Sequence, residues 1–220
     1  DPKPGDTILD IAAAPGSKST QIAALMQNQG KLFINDASVY RQTSLNTNLN
    51  RCGVTNACVS ALAGERFGNL FPEYFDKVLV DAPCLCLKYL PKDEAYFEDS
   101  LKNKLPSLVN IQKSLLLSGF KALKPGGTLV YSTCSMTAEE NESLLDDFIR
   151  HYPAELQDCP SLSLSSSGPG LTSFHNQRFD PSLAKSIRIY PFPDPVEGFF
   201  VAKLKKKDSL PFVKKQKDLP

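Results

Sequence analysis

Gly127-Thr-Leu-Val-Tyr-Ser-Thr-Cys-Ser135 changes character half way along. Thr128 to Tyr131 is short, β-branched and aromatic, and the turn-forming Lys124-Pro125-Gly126-Gly127 precedes it, so it reads as a buried strand. The strand then runs into small polar residues around Cys134. Lys77-Val-Leu-Val-Asp81-Ala-Pro-Cys84 repeats the design, an apolar strand ending in an acid, a proline and a cysteine. Ligands of an open parallel sheet bind just beyond the carboxyl ends of its strands. Two such ends would turn Cys84 and Cys134 towards one crevice.

Upstream, Thr7-Ile-Leu-Asp-Ile11 is a strand with one acid, Asp10, followed by the small-residue loop Ala12 to Lys18. Ser19 or Thr20 is expected to cap a helix through Gln21 to Met26, with Gly30 past its end. Lys31 to Asn35 is the next strand, and Asp36 follows twenty residues after Gly16. That is about the spacing at which a βαβ unit binds a ribose diol, with free helix N–H groups facing the ligand. The loop is not Gly-x-Gly-x-x-Gly, which argues against a dinucleotide cofactor. Val39 to Asn50 is expected as a helix with Arg41 in its first turn, and Ala57 to Ala61 as a weak third strand. Leu70 to Phe75 reads as a loop whose aromatics pack on the sheet.

Downstream of the Asp81 strand, Leu85 to Lys104 has no clear period and reads as a long connection over the site. Leu108 to Leu123 keeps helical spacing. Thr137-Ala-Glu-Glu140 reads as a capping box opening a helix with Leu144, Leu145, Phe148 and Ile149 on its apolar face. Ser161 to Thr172 reads as loop. Ser186 to Tyr190 and Gly198 to Leu204 are two strands close enough to pair antiparallel. A parallel sheet closing on such a pair is the architecture of a methyltransferase rather than of a dehydrogenase.

The 220 residues suffice for one large α/β domain. Hydrophobic residues make up 41% and charged residues 22%, an ordinary soluble composition. No apolar run approaches the length of a membrane span, and no signal-peptide pattern opens the sequence. Because Asp1 to Asp6 leads almost at once into a strand, the sequence reads as a domain cut from a longer protein. Net charge is +1, so no overall basic field points to nucleic acid. Lys203, Lys205, Lys206, Lys207, Lys214, Lys215 and Lys217 nonetheless crowd the C-terminal end, as a solvated tail or as phosphate contacts. The six cysteines lack metal-type spacing, Cys84-Leu-Cys86 being too close for a usual zinc pair, and no metal is expected. Reduced thiols in a cytoplasmic protein are the simplest reading. Cys52, Cys58 and Cys159 are assigned to packing, Tyr190, Phe199 and Phe200 to the core, and Asp10 to a ligand role or a turn cap. Lys18 opposes the dipole at the start of its helix, a local misfit that hints at a ligand.

Five motifs occur in order: Asp10-Ile-Ala-Ala-Ala-Pro-Gly-Ser-Lys18, Asp81-Ala-Pro-Cys84, Tyr131-Ser-Thr-Cys-Ser135, Glu139-Glu-Asn141 and Glu197-Gly-Phe-Phe-Val-Ala202. Together they resemble the Sun/Fmu-type RNA cytosine-C5 methyltransferases over Gly5 to Lys206, and most of all the bacterial small-subunit rRNA branch. The resemblance implies a Rossmann-like α/β fold that uses S-adenosylmethionine. Its mostly parallel seven-stranded sheet would end in an antiparallel edge pair, with helices on both faces. Residues 1–207 would be the catalytic domain and 208–220 a basic tail, in a monomer that acts on RNA and not at a membrane.

Carried over residue by residue, Ala12, Ala13, Ala14, Pro15, Gly16, Ser17 and Lys18 would bind the cofactor, the last six around its methionine part. Asp36 would bind the ribose with Arg41 beside it, and Asp81 would line the site and contact a flipped cytosine. Cys134 would attack C6 of that base, making C5 nucleophilic, and Cys84 would help remove the C5 proton. Two departures stand out. Leu85-Cys86-Leu87-Lys88 replaces the family's Ser-Gly-Glu-Gly, and Ala63 lies near the place of the acid that meets the adenine. They keep an RNA-binding relative without activity open beside the enzyme. A tRNA target, a DNA substrate and a nucleotide-dependent oxidoreductase are the further alternatives.

Overall fold

The computed structural model describes residues 1–86, 98–160 and 162–210. Its strands are β1 (Thr7–Asp10), β2 (Lys31–Asn35), β3 (Ala57–Ser60), β4 (Phe75–Asp81), β5 (Leu123–Thr133), β6 (Ala154–Gln157), β7 (Ser167–Pro169), β8 (Ser173–Phe174), β9 (Gln177–Arg178), β10 (Ile187–Ile189) and β11 (Phe199–Lys206). Nine form one sheet in the order β3-β2-β1-β4-β5-β11-β10-β7, with β6 also on β11, and β8 and β9 make a separate hairpin. The strands from β3 to β5 are parallel neighbours. β11 is antiparallel to β5, and β10 to β11. The methyltransferase-type sheet with its antiparallel pair is therefore present, with nine strands rather than seven.

Alternation along the strands builds two apolar layers, because successive side chains point to opposite faces. Ile8, Leu32 and Ile34 pack with Ile22, Ala23, Leu45 and Leu49 on one face. These helical residues belong to α1 (Ser17–Leu25) and α2 (Val39–Arg51). Leu9, Val78, Val80, Leu129 and Tyr131 point the other way, onto Leu116, Phe120, Leu145 and Phe148. A short helix α3 (Phe67–Leu70), the long α4 (Leu105–Ala122) and α5 (Glu142–His151) supply that second layer. The aromatics at 70–75 pack as expected: Phe71, Tyr74 and Phe75 each lie within 6 Å of the Phe33 ring on β2.

Several local readings are corrected. α1 starts at Ser17 after Gly16, whose left-handed φ of 100° serves as the cap in place of Ser19 or Thr20. Ser19 is buried and donates to Asp10 instead. Thr137 opens no helix: its hydroxyl donates to Glu140 Oε2 at 2.9 Å, and α5 begins only at Glu142. β7 occupies part of the expected 161–172 loop, pairing Ser167 to Pro169 with β10. The Lys124–Gly127 turn interrupts a strand that starts earlier, at Leu123. The β4 partner steps from Phe75 to Lys77 while β5 jumps from Leu123 to Thr128. Gly126 holds φ 78° there, and a Cβ on Gly127 would sit 2.9 Å from the Asp76 carbonyl, so both positions of that bulge require glycine.

Lys203, Lys205 and Lys206 are strand residues, not tail. Lys206 is fully buried, donating to the Leu123 carbonyl at 2.7 Å and to Glu73 at 3.1 Å. Lys214, Lys215 and Lys217 lie outside the described residues, as do Leu87 and Lys88 of the departing loop. Within the described part of the long connection, Ser100–Lys104 is a π-helical turn feeding α4. Cys52 and Cys58 are exposed rather than packed. Phe200 is core, but Phe199 is only half-buried and Tyr190 is exposed. Among the described residues no helix is long and apolar enough to cross a membrane.

Candidate functional site

Strand order reverses at β1 and β4: from β1 the chain goes outward to β2 and β3, then returns to β4 and β5 on the other side. The crevice beyond the carboxyl ends at such a switch point is where α/β sheets bind ligands. A cavity of ≈ 290 Å³ lies there, lined by Ala12 and Ala14 after β1, Asp36 after β2, Asp81 and Cys84 after β4, and Cys134 after β5. A larger hollow between α4 and α5 is lined by Val109, Lys113, Asp146 and Arg150 and holds no thiol. The chemistry therefore selects the smaller cavity.

At one end of it, Asp36 is buried, and its Oδ2 accepts from the Ala14 N–H at 3.0 Å. Its Oδ1 accepts from the Ser38 N–H at 3.0 Å. Arg41 Nη1 stands 3.3 Å from Oδ2, and Nη2 donates to the Ala14 carbonyl. The acid and the arginine predicted side by side are thus side by side, and both line the cavity. The loop splits in two. Ala12 and Ala14 line the cavity, whereas Ala13 packs into the core and Pro15 and Ser17 face solvent. Gly16 backs onto Leu45, where a Cβ would approach to 2.7 Å.

Lys18 leaves the loop for β4. Its Nζ donates to Asp81 Oδ2 at 2.7 Å and lies 5.1 Å from the Phe199 ring centre. An opposite charge at hydrogen-bond distance outweighs the few tenths of a kcal/mol by which a cation opposes a helix N-terminus. Asp81 Oδ1 accepts from Ser132 Oγ at 2.6 Å, which ties the ends of β4 and β5 together. Beneath them Asp10 is fully buried, with Ser19 Oγ 2.6 Å from Oδ2 and no partner at Oδ1. Burial holds its carboxyl up at about 7 despite that hydrogen bond.

At the other end, Cys84 Sγ and Cys134 Sγ are 3.0 Å apart, and Cys86 Sγ is 3.4 Å from Cys134. Hydrogen bonding to Cys84 lowers the Cys134 thiol to about 6, with Cys86 helping; burial and the Asp81 charge oppose it. The Cys84 thiol is pushed above its ordinary range, first by its bond to Cys134 and then by burial. The two thiols thus titrate as a pair that shares one proton across the 3.0 Å contact.

Residues missed in the sequence hold these sulfurs in place. Glu140 is buried. Its Oε1 accepts from the Leu85 N–H at 3.0 Å and from Gln112 Nε2 at 2.8 Å, and Gln112 also donates to the Pro83 carbonyl. Asn141 accepts from Thr133 Oγ1 at 2.7 Å and donates to the Ser135 carbonyl at 2.9 Å, bracketing Cys134. Asn141 stood in a quoted motif without a role, Glu140 was read only as the acid of a capping box, and Gln112 looked like any polar residue of α4. Gly64 and Glu65 line the cavity near Ala63, the place of the missing acid.

The donor set fits an extended ligand with a diol at one end and a reactive centre at the other: a carboxylate sits at the first position and thiols at the second, in one continuous cavity.

Comparisons with known proteins agree. Residues 1–205 match the family described as 16S rRNA methyltransferase RsmB/F. The chain is 41% identical over 209 residues to a 26S rRNA (cytosine-C(5))-methyltransferase of Caenorhabditis elegans, covering 93% of this chain and 31% of that protein. It is 41% identical over 206 residues to ribosomal RNA small subunit methyltransferase F of Vibrio cholerae, covering 94% and 42%. A tRNA (cytosine(49)-C(5))-methyltransferase of Pyrococcus abyssi is 39% identical over 206 residues, covering 94% and 65%. Among solved structures, a methyltransferase homolog from Pyrococcus horikoshii superposes with TM-score 0.79 at 34% identity, covering 94% of this chain and 63% of that one. NSun6 from the same organism, solved with SFG, superposes with TM-score 0.74 at 31% identity, covering 94% and 50%. The chain thus spans about a third to two thirds of the length of these curated relatives. With residues 1–205 matching that family and relatives 39–41% identical over more than nine tenths of its length, the chain belongs to the 16S rRNA methyltransferase RsmB/F family.

Proposed function

We propose that residues 1–207 are the catalytic domain of an S-adenosylmethionine-dependent RNA cytosine-C5 methyltransferase acting on rRNA, with residues 208–220 a basic tail. The observation that carries this reading is the thiolate–thiol pair of Cys134 and Cys84, in one cavity with Asp36 and Asp81. The relative solved with SFG, an S-adenosylmethionine analogue, supports the cofactor, and the rRNA enzymes at 41% identity support the substrate. The tRNA enzyme at 39% keeps tRNA as the second substrate to test. The free thiols fit a reducing compartment such as the cytoplasm.

When bound, the cofactor supplies an electrophilic methyl group on a sulfonium. Asp36 holds the ribose diol, positioned by Ala14 N–H and Arg41. Asp81 receives the amino edge of a cytosine taken out of its stack, and Lys18 is positioned to hold that carboxylate. Cys134 attacks C6 as the thiolate, forming an S–C6 bond and turning C5 into an enamine carbon that takes the methyl group. Once Cys134 is a thioether, the charge that raised the Cys84 thiol is gone. Cys84 can then ionise, accept the C5 proton and let the S–C6 bond break, returning Cys134 as thiolate.

The test separates the two cysteines. Cys134→Ala should form no protein–RNA adduct and no product. Cys84→Ala should methylate and then stall as an adduct that survives denaturing electrophoresis and carries label from the methyl donor. The reverse pattern would move the nucleophile to Cys84 and refute this assignment. Offering rRNA and tRNA transcripts in parallel decides the substrate, tRNA-only labelling going against rRNA.

A further inference from the structure

The third sulfur is not required by this chemistry. Cys86 follows Cys84 by two residues and holds a left-handed φ of 53°. The three Sγ atoms are 3.0, 3.4 and 4.0 Å apart, a closed triangle built from the loops after β4 and β5. Zinc–sulfur bonds of about 2.3 Å in a tetrahedron set neighbouring sulfurs about 3.8 Å apart. The triangle brackets that value, and side-chain adjustments that change the separations by at most about 0.8 Å suffice. Both arms are held from behind: the Cys84 arm by Gln112 and Glu140, and the Cys134 arm by Thr133 and Asn141. The expectation of no metal rested on spacing along the chain. That spacing hides Cys134, which reaches the pair from 48 residues away.

We propose that Cys84, Cys86 and Cys134 form a three-thiolate site for a thiophilic closed-shell cation, zinc(II), whose fourth position opens into the cavity, and that loading it withdraws Cys134 from methyl transfer. Soft sulfur donors in a trigonal base select zinc or copper(I) over hard cations, and three protein ligands with one open position is a familiar zinc arrangement. Three S–Zn bonds form as the thiols bind as thiolates, and each S–H proton displaced passes to solvent. No electron is transferred and no oxidant is needed. Zinc and the C6 of cytosine would compete for one lone pair on Cys134. That competition rests on the function proposed above, whereas the binding itself does not.

The experiment uses the full chain, stripped by chelator and kept reduced with a phosphine. Zinc(II) is titrated in competition with a chromophoric chelator, and cobalt(II) serves as the coloured substitute. One ion per chain is expected, with a thiolate-to-cobalt charge-transfer band and intense tetrahedral bands. Cys86→Ser should weaken zinc at least tenfold, and Cys52→Ser, an exposed control elsewhere, should not. Zinc should also shield Cys84, Cys86 and Cys134, and not Cys52, from alkylation mapped by mass spectrometry. No stoichiometric binding, unchanged affinity in Cys86→Ser, or alkylation of the three thiols at full loading would overturn the site. Binding without inhibition of methyl transfer would overturn the competition while leaving the site. If the chain methylates nothing, the binding and protection readouts still decide the site.

Discussion

At the scale of single residues, the site depends on how protons are shared. Cys134 reaches about 6 chiefly through its hydrogen bond with Cys84, so the two thiols respond to pH as a pair. Cys134 should alkylate with a midpoint near pH 6, below the ordinary free-thiol range of about 8.5. Cys84→Ala removes the largest cause and should move that midpoint upward by a unit or more; an unchanged profile would dissociate the two sulfurs. Asp10 shows the opposite sign. Its carboxyl is raised from 3.8 to about 7 by burial, so between those values the unfolded chain ionises while the native one stays protonated. Stability from this group is full below about pH 4 and falls as pH rises to about 7, by about 4 kcal/mol at 1.36 kcal/mol per unit. Asp10→Asn keeps an acceptor for Ser19 and should flatten denaturation midpoints across that window. Parallel curves for variant and parent would contradict it. Cys84, Cys134, Asp36 and Asp81 could be read from the sequence because each ends a strand with an abrupt change from apolar to polar. Glu140, Asn141 and Gln112 could not, because their partners are backbone groups and side chains that only the folded chain brings near.

Among elements, strands carrying β-branched apolar residues were legible, the short edge strand β3 included, whereas β6 and β7 were not. β7 is Ser-Gly-Pro and reads as a turn; it pairs only at the sheet edge, where a proline is tolerated. β6 commits a single buried leucine, Leu156. The capping box at Thr137 failed for a different reason. Glu140 reaches Leu85 and Gln112 instead of its own helix, so a tertiary contact displaces the local one. What fastens this region is a buried ion pair. Arg188 on β10 meets both carboxylate oxygens of Glu142 at 2.5–2.6 Å and donates to the Met136 carbonyl two residues past Cys134. Arg188→Met would leave the buried Glu142 carboxyl without its cation, held only by the Leu171 N–H, which costs about 3–5 kcal/mol. For a chain of this size the Tm should fall by roughly 6–20 °C. Glu142→Leu added to it should recover part of that loss, because no lone buried charge remains. A double variant no more stable than Arg188→Met would show that the pair is not the fastening.

Over the whole molecule, the reversal of strand order brings four separate sequence segments to one cavity. The parallel core predicted that meeting place, while the count of nine strands and the burial of Lys206 emerged only in three dimensions. A ligand that spans those segments should stabilise the entire sheet, since it binds the folded arrangement and has little hold on the unfolded chain. S-adenosylhomocysteine at a hundred times its dissociation constant should add about 2.7 kcal/mol. That corresponds to roughly 5–11 °C in Tm. Asp36 is the residue to vary, because it stands at the far end from the thiols and touches Ala14, Ser38 and Arg41. Asp36→Ala also strands the buried Ala14 N–H and the part-buried Ser38 N–H, so its own Tm should drop without ligand. The informative quantity is therefore the ligand-induced increment, which should shrink in Asp36→Ala and less so in Asp36→Asn, where one acceptor oxygen survives. NAD shares the ribose but brings a second nucleotide past the thiols, and should give no comparable increment. Equal stabilisation by NAD, or an increment indifferent to Asp36, would place the cofactor somewhere other than this cavity.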